Sequence, residues 1–213
     1  MSYFTDSEND FAIYDAPKTG GTTLRLWICY AGTGNLMKTD RTPDKKYYSD
    51  NRDTYELLKD WGYNLLGGFG NPEVSDKVCI KRDPVKRFVS CYQDKVIREK
   101  RLSVSVDDLL DHYDEVIKQT PQYMWDNTTN YVKFHFDPQT FHFGNSKDFF
   151  SNVFDVSEIN TGVKSYLEGK WGIELPDLHA RDSRGTIEKL ELTSEQIAKV
   201  KKFYQVDYDN GWC

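Results

Sequence analysis

Apolar runs alternate with helix-type periodicities along the chain. Residues 10–16 contain the apolar run Phe11–Tyr14 and predict a buried strand. The loop and helix after it extend from residue 17 to about residue 31, with Leu24, Trp27 and Ile28 on one helical face. Residues 77–82 predict a second buried strand. The N-terminal half therefore has the order strand, helix, strand.

The C-terminal part of the chain continues the pattern with stronger helix signals. Pro84 is predicted to open a helix, because a missing N–H costs nothing in the first turn, and Ser105 is the predicted N-cap of the next. Residues 152–156 predict a strand, and Asn160 or Thr161 is predicted to cap a following helix. The apolar stripe of the helix at Pro84 consists of Val85, Phe88, Val89, Tyr92 and Val96.

The sequence also predicts a C-terminal helix and several less regular segments. Thr193 and Gln196 have the spacing of a capping box that opens a last helix through about Tyr204. Residues 38–54 are polar and predict a surface excursion, and residues 120–150 have little periodicity. Residues 55–61 predict a short helix, and residues 65–70 are an apolar piece ending in glycines.

Alternation of strands and helices predicts an α/β fold with a mainly parallel sheet. A length of 213 residues fits a single domain, residues 1–213, large enough to bury a core. No apolar run is long enough for a membrane span, and the polar, acidic start Met1–Glu8 does not have the pattern of a signal peptide. We therefore expect a soluble, cytoplasmic protein without a membrane partner, of microbial or viral origin.

Charge and cysteine content narrow the function classes. The net charge of −6 argues against nucleic-acid binding. Eight basic residues between Lys81 and Arg101 nevertheless predict a small anionic ligand, with the residues from Lys95 onward expected on a solvated helix face. Four separate cysteines without a Cys-x-x-Cys pair predict buried free thiols, Cys29 and Cys79 in particular.

The segment Asp15–Leu24 predicts an anion site. A strand, a glycine turn and a helix start direct free backbone N–H groups at one point, where the helix dipole also favours negative charge. An ATP-binding Walker A loop places lysine after its last glycine, whereas Lys18 precedes Gly20 and Gly21. The order Pro17-Lys18-Thr19-Gly20-Gly21-Thr22 instead resembles the 5′-phosphosulfate loop of sulfotransferases.

A second motif supports the same resemblance. Residues 82–92 are similar to the 3′-phosphate segment of that family, Arg-x-Pro-x-x-Arg-x-x-Ser-x-Tyr. Arg82 stands at the carboxyl end of a predicted strand, where α/β folds place ligands, and Ser90 lies about two turns into the next helix. Arg87 has two open interpretations, a phosphate ligand or a structural arginine.

Weaker similarities point to the carbohydrate branch of the family, which contains chondroitin- and heparan-type enzymes. His135–Gln139 resembles its His-x-x-Pro-Gln element, and Tyr92–Val96 resembles the continuation of its helix. Tyr204–Tyr208 resembles its terminal Tyr-x-x-Asp-Tyr pattern. The polar residues Ser183, Arg184 and Gly185 match a late loop that closes over the nucleotide.

The resemblance implies a three-layer, P-loop-NTPase-like fold and a reaction. The donor would be 3′-phosphoadenosine 5′-phosphosulfate (PAPS), the product adenosine 3′,5′-bisphosphate (PAP), and the acceptor a hydroxyl, expected on a carbohydrate; no metal is implied. Lys18 would stay in contact with the leaving phosphate oxygen, on which negative charge gathers during transfer. Arg82, Ser90 and the 183–185 loop would hold the 3′ side. The 5′-phosphate would be held by Thr19, Gly20, Gly21, Thr22 and Thr23.

The general base is the point at which the chain departs from the family that it resembles. Many members carry this base, usually histidine or glutamate, between the two binding motifs, where this chain has residues 65–70 and no histidine. Of the four histidines, His135 has motif support and is the predicted base, and His112 is expected to be solvated. His142 and His179 are undetermined, and Glu73 and Asp60 are outside candidates. Two alternatives stay open, a non-catalytic PAP-binding protein and an atypical P-loop nucleotide kinase; oligomeric state is not predicted.

Overall fold

The computed structural model describes residues 2–34, 36–37, 47–48, 63–64, 71–119, 131–178 and 190–213. The described residues of 1–81 and 147–182 form one compact unit, and those of 82–146 and 183–213 form a second. Each unit is described below by itself. The expectation of a single domain over residues 1–213 stays a prediction.

The first unit is built on a central β-sheet. The strands described in this unit are β1 (Ser2–Asp6), β2 (Phe11–Asp15), β3 (Leu36–Met37), β4 (Tyr47–Tyr48), β5 (Tyr63–Asn64), β6 (Asp76–Lys81) and β7 (Asn152–Asp155). Five of them form the sheet, in the order β5-β1-β2-β6-β7. β2, β6 and β7 are parallel to one another, and β1 is antiparallel to both of its neighbours. β3 and β4 form a separate parallel pair.

Helices flank this sheet, and the predicted α/β class with mainly parallel central strands is confirmed. All of β2 is buried, as expected for a strand covered on both faces. Phe11 and Ile13 belong to a core shared with the helices α1 (Gly21–Thr33) and α7 (Lys164–Trp171). Tyr14 packs against Phe149 and Phe150.

The second unit is helical and has its own core, to which Phe88, Phe136 and Tyr204 contribute. A π-helical turn, Gln93–Arg98, continues its first helix. The helices are α2 (Pro84–Tyr92), α3 (Val106–Asp111), α4 (Tyr113–Lys118), α5 (Tyr131–Phe136), α6 (Gln139–Phe143), α8 (Ser194–Phe203) and α9 (Gln205–Asp209).

Most predicted element starts are confirmed by their caps. Pro84 is the first residue of α2, and the Ser105 hydroxyl accepts from the Asp108 N–H at the start of α3. Thr193 and Gln196 form the predicted capping box of α8. Cys29 and Cys79 are buried free thiols as expected, and burial raises the pKa of Cys79.

Three sequence predictions differ from the structure. The helix at Ser105 breaks at His112 into α3 and α4. Asp155, rather than Asn160 or Thr161, forms the capping box before the 3-10 turn Val156–Glu158, which leads through a π turn into α7. Residues 120–150 have little periodicity, yet α5 and α6 lie within their described part.

Several predictions fall on residues outside the described ranges. They are the helix at residues 55–61, the apolar piece at residues 65–70 and most of the excursion at residues 38–54, in which β4 is described. Within the described ranges, no helix has the length and apolar character that a bilayer crossing requires.

Candidate active site

The first candidate loop leaves the sheet at the carboxyl end of β2. Parallel pairing places Asp15 of β2 opposite Ile80 of β6, so these two strands end at the same edge. Lys18 and Gly20 have φ angles of 73° and 96°, both in the left-handed region. The turn consists of the five residues 16–20, and α1 begins directly after it at Gly21.

Tight packing explains the two glycines of this loop. A Cβ added to Gly20 would lie 3.0 Å from Ile159 Cδ1, and its φ angle is one that side chains rarely adopt. A Cβ on Gly21 would fall well inside van der Waals distance of Asp15 Oδ2. Both positions therefore require glycine, for conformation at Gly20 and for space at Gly21.

Thr19 stabilises the turn from inside. It is fully buried, and its hydroxyl donates to the Ala16 carbonyl at 2.8 Å and accepts from the Ala16 N–H at 3.0 Å. The Thr19 N–H also donates to the Ala16 carbonyl. The Thr19 hydroxyl thus shapes the loop, while Thr22 is half-buried and Thr23 is buried in the first turn of α1.

The N-terminus of α1 has the properties of an anion site. No side-chain hydrogen bond caps it within the described part of the chain, and no acidic residue stands in its first turn. The first-turn N–H groups and the positive end of a 13-residue helix dipole therefore converge at the loop. Asp15 lies 3.9 Å from Arg25, one turn along α1, which offsets its negative charge at this end of the helix.

Arg82 and Ser90 belong to the second unit. Arg82 lies two residues before α2, and Ser90 lies within α2. Asp83 caps α2 by accepting from the Lys86 N–H at 2.8 Å. The Arg82 N–H donates to Gln139 Oε1 at 2.8 Å, and the Arg82 carbonyl accepts from Gln139 Nε2 at 2.8 Å. The Arg82 and Ser90 residues are each half-buried, so solvent reaches both.

The structure favours the structural interpretation of Arg87. Its side chain is fully buried, and Nη2 donates to the His135 carbonyl at 3.0 Å. Its guanidinium lies 5.8 Å from the centre of the Tyr204 ring. Arg87 thus ties α2 to α5 and to the end of α8, and it is not available to a ligand from solvent.

The expectation of a solvated helix face from Lys95 onward is wrong at Lys95 itself. Only 1% of Lys95 is exposed, and its Nζ donates to Glu99 Oε1 at 2.8 Å and to the Tyr131 hydroxyl at 2.5 Å. Asp94 lies 3.3 Å away and also pairs with Arg98. Burial alone would raise the pKa of Glu99, but the hydrogen bond and charge of Lys95 outweigh it and lower that pKa.

His135 is half-buried on α5, and its backbone has a structural role. Its carbonyl accepts from Arg87 and from Cys91 Sγ, and its Nδ1 lies 2.8 Å from the Tyr131 carbonyl. A donor at Nδ1 makes Nε2 the nitrogen that carries the lone pair of the neutral ring. This tautomer suits a general base that acts through Nε2.

The remaining base candidates divide by exposure. His142 is fully buried beside Phe134, and desolvation followed by the charge of Arg87 lowers its pKa well below 6.5. His112 is exposed, as predicted, and Glu73 is exposed as well. His179 and Asp60 lie outside the described ranges, as do the predicted nucleotide residues Ser183, Arg184 and Gly185.

The residue pattern did not assign a role to two buried side chains of the second unit. Gln139 is the last residue of the His-x-x-Pro-Gln element, and Asp207 is the acid of the Tyr-x-x-Asp-Tyr pattern. The Asp207 carboxylate accepts from the N–H groups of Gln139 and Thr140 at 2.9 Å and 2.8 Å. Their motif positions were visible, but contacts between residues so far apart in sequence leave no local signal.

Comparison with known proteins identifies the family. The model of the sulfotransferase family matches residues 1–210. A comparison with curated proteins gives no significant match. Among solved structures, a sulfotransferase from Alicyclobacillus acidocaldarius shares 13% identity with a TM-score of 0.47, and the match covers 94% of this chain and 93% of that one. Because the family model matches nearly the whole sequence, the chain belongs to the sulfotransferase family.

Proposed function

We propose that this protein transfers the sulfuryl group of PAPS to a hydroxyl of a carbohydrate acceptor. Family membership supports sulfate transfer in general. The observation that carries the proposal is the helix start after the Lys18 loop, where α1 begins without a capping side chain or an acid in its first turn. Such a helix end attracts a phosphate or sulfate group.

In this proposal the two motifs hold the two ends of one nucleotide. The backbone N–H groups from Gly20 to Thr23, with the Thr22 and Thr23 hydroxyls, bind the 5′-phosphate, and Thr19 keeps the turn in shape. Arg82 and Ser90 bind the 3′-phosphate, an arrangement supported by their half-buried positions at the start of α2. We include residues 183–185 among the residues that bind the same phosphate, because their sequence resembles the late loop of the family.

The reaction follows from this binding mode. The acceptor oxygen forms a bond to sulfur while the bond between sulfur and the leaving phosphate oxygen breaks, and the acceptor proton passes to a base. Negative charge gathers on the leaving oxygen, as in phosphoryl transfer, and Lys18 stabilises it there. His135 is the proposed base, acting through Nε2. Residues 38–54 and 120–150 would select the acceptor.

The proposal is tested by transfer of labelled sulfate from PAPS to a panel of glycans, phenols and lipids. We expect transfer to a glycan, and a fall in kcat of about 100-fold or more for Lys18→Met. Lys86→Met is the matched control, since Lys86 is an exposed lysine of α2 and should leave kcat unchanged.

Two further assays, of PAP binding and of phosphate transfer from ATP, separate this function from the alternatives. Binding of PAP without transfer to any acceptor would identify a non-catalytic PAP-binding protein. Phosphate transfer from ATP with magnesium, without sulfate transfer, would identify a nucleotide kinase. An unchanged kcat in Lys18→Met would remove Lys18 from the reaction.

A further inference from the structure

We infer that Gln139 is a positioning residue, which holds Arg82 in the orientation that binds the 3′-phosphate. This inference rests on the proposed function for the role of Arg82. It goes beyond that function by assigning affinity for the nucleotide to a buried side chain that cannot touch it.

The geometry of Gln139 is specific for the backbone of Arg82. Its side-chain oxygen accepts from the Arg82 N–H at 2.8 Å, and its side-chain nitrogen donates to the Arg82 carbonyl at 2.8 Å. The same nitrogen donates to the Trp212 carbonyl at 2.9 Å. One amide side chain thus satisfies both peptide groups of Arg82, as a neighbouring β-strand would, at the point where β6 has ended and α2 has not begun.

Gln139 is itself held by groups that solvent does not reach. No part of its surface is exposed, and its N–H donates to the fully buried Asp207 carboxylate at 2.9 Å. The same carboxylate accepts from the Thr140 N–H and hydroxyl. Trp212 is also fully buried, and its indole N–H donates to the Gly144 carbonyl at 2.9 Å. The C-terminal segment therefore fixes Gln139, and Gln139 fixes Arg82.

This chain of contacts has a consequence for ligand binding. A backbone held at both peptide groups keeps the Cα–Cβ direction of Arg82 constant, so its guanidinium is organised before the ligand arrives. Loss of that support lets the side chain sample other directions, and the charge-assisted bonds to a phosphate weaken. The defect is expected for ligands with a 3′-phosphate and not for ligands without one.

The test compares PAP with adenosine 5′-monophosphate (AMP), which lacks the 3′-phosphate, by calorimetry on the full chain. Gln139→Met keeps the length of the side chain and removes its hydrogen bonds. We expect its affinity for PAP to fall at least about tenfold, with its affinity for AMP within about twofold of the unsubstituted protein. Gln205→Met is the matched control, since it makes the same change at an exposed glutamine of α9 whose side-chain amide donates to Asp209, and it should change neither affinity.

Different failures are distinguishable in this experiment. Equal losses for PAP and AMP, or no loss for PAP, would overturn the positioning role. An unsubstituted protein that binds PAP no better than AMP would overturn the proposed function itself. In an Arg82→Ala background, Gln139→Met should have no further effect on PAP, and an undiminished effect would show that Gln139 does not act through Arg82.

Hydrogen exchange gives a readout that needs no ligand. The Arg82 amide should exchange faster in Gln139→Met than in the unsubstituted protein, and its exchange rate should be unchanged in Gln205→Met. An unchanged rate in Gln139→Met would contradict the role of these two hydrogen bonds in holding the Arg82 backbone. If Gln139→Met does not fold, Gln139→Glu keeps the shape and places a carboxylate against the Arg82 carbonyl, so the same PAP-specific loss is expected; its absence would overturn the inference.

Discussion

At the scale of single residues, Gly21 has no room for a side chain at the junction of α1 with the loop that follows β2. A methyl group there would collide with the Asp15 carboxylate at the end of β2. We predict that Gly21→Ala lowers the free energy of unfolding by about 1–3 kcal/mol, the usual cost of overpacking. The displaced carboxylate should also weaken PAP binding, because the first-turn N–H groups of α1 shift with it. Urea unfolding and calorimetry measure the two effects.

Gly169 provides the matched control for this substitution. It is an exposed residue of α7, and nothing lies within 4 Å of a Cβ added to it. Gly169→Ala should stabilise the protein by about 0.5–1 kcal/mol through helix propensity and leave PAP binding unchanged. Equal stability of Gly21→Ala and the unsubstituted protein would mean that the carboxylate moves aside without cost.

His142 gives a residue-scale prediction about pH. Desolvation first, and then Arg87, lowers its pKa well below 6.5 in the folded protein. Below pH 6.5 the unfolded chain therefore takes up a proton at His142 that the folded protein does not, and stability falls as pH falls, by up to about 1.4 kcal/mol per pH unit.

His142→Phe removes this contribution and suits the aromatic surroundings formed by Phe134 and Phe141. As the pH is lowered from about 7.5 to about 5.5, the free energy of unfolding should fall less for the variant than for the unsubstituted protein. Urea unfolding at several pH values measures the difference. Parallel curves for the two proteins would mean that His142 has the same pKa in the folded protein as in the unfolded chain, which would contradict the lowered pKa.

At the scale of elements, the π turn after α2 is held by a buried charge. Lys95→Met leaves Asp94 and Glu99 without their shared lysine, and Asp94 is 5% exposed. We predict a loss of about 3–5 kcal/mol, the usual cost of breaking a buried pair from one side. Arg101→Met is the control, because half of that side chain is exposed and surface pairs contribute at most about 1 kcal/mol. Similar losses in both variants would contradict the buried network.

Elements with local signals could be predicted from the sequence. α2 and α8 begin where Pro84 and the Thr193 capping box indicate, and β2 and β6 follow their apolar runs. α6 had no such signal, because the group that accepts from its first N–H groups is Asp207, far along the chain. The sequence wrongly predicts that Lys95 is solvated, because the i,i+4 spacing of Lys95 and Glu99 is typical of an exposed helix face. Lys95 is buried only by tertiary packing.

At the scale of the whole molecule, the two units carry separate parts of the predicted site. Residues Lys18–Thr23 are brought together at the start of α1 in the first unit. Arg82, Ser90 and His135 belong to the second unit, where Arg87 proves structural. The proposed ligand residues stay predictions from short local motifs, whereas the hydrogen bonds of Gln139 to the Arg82 backbone depend on contacts that only the folded chain makes.

We propose that this sulfotransferase-family protein binds a nucleotide with both 3′- and 5′-phosphates, and not a triphosphate. The most direct test of this proposal is calorimetric titration of the full chain with PAP and with ATP plus magnesium, repeated for Arg82→Ala and for Lys86→Ala. We predict PAP affinity at least about tenfold above that for ATP with magnesium, a preference lost in Arg82→Ala and kept in Lys86→Ala. Equal affinity for the two nucleotides, or an unchanged preference in Arg82→Ala, would contradict the account.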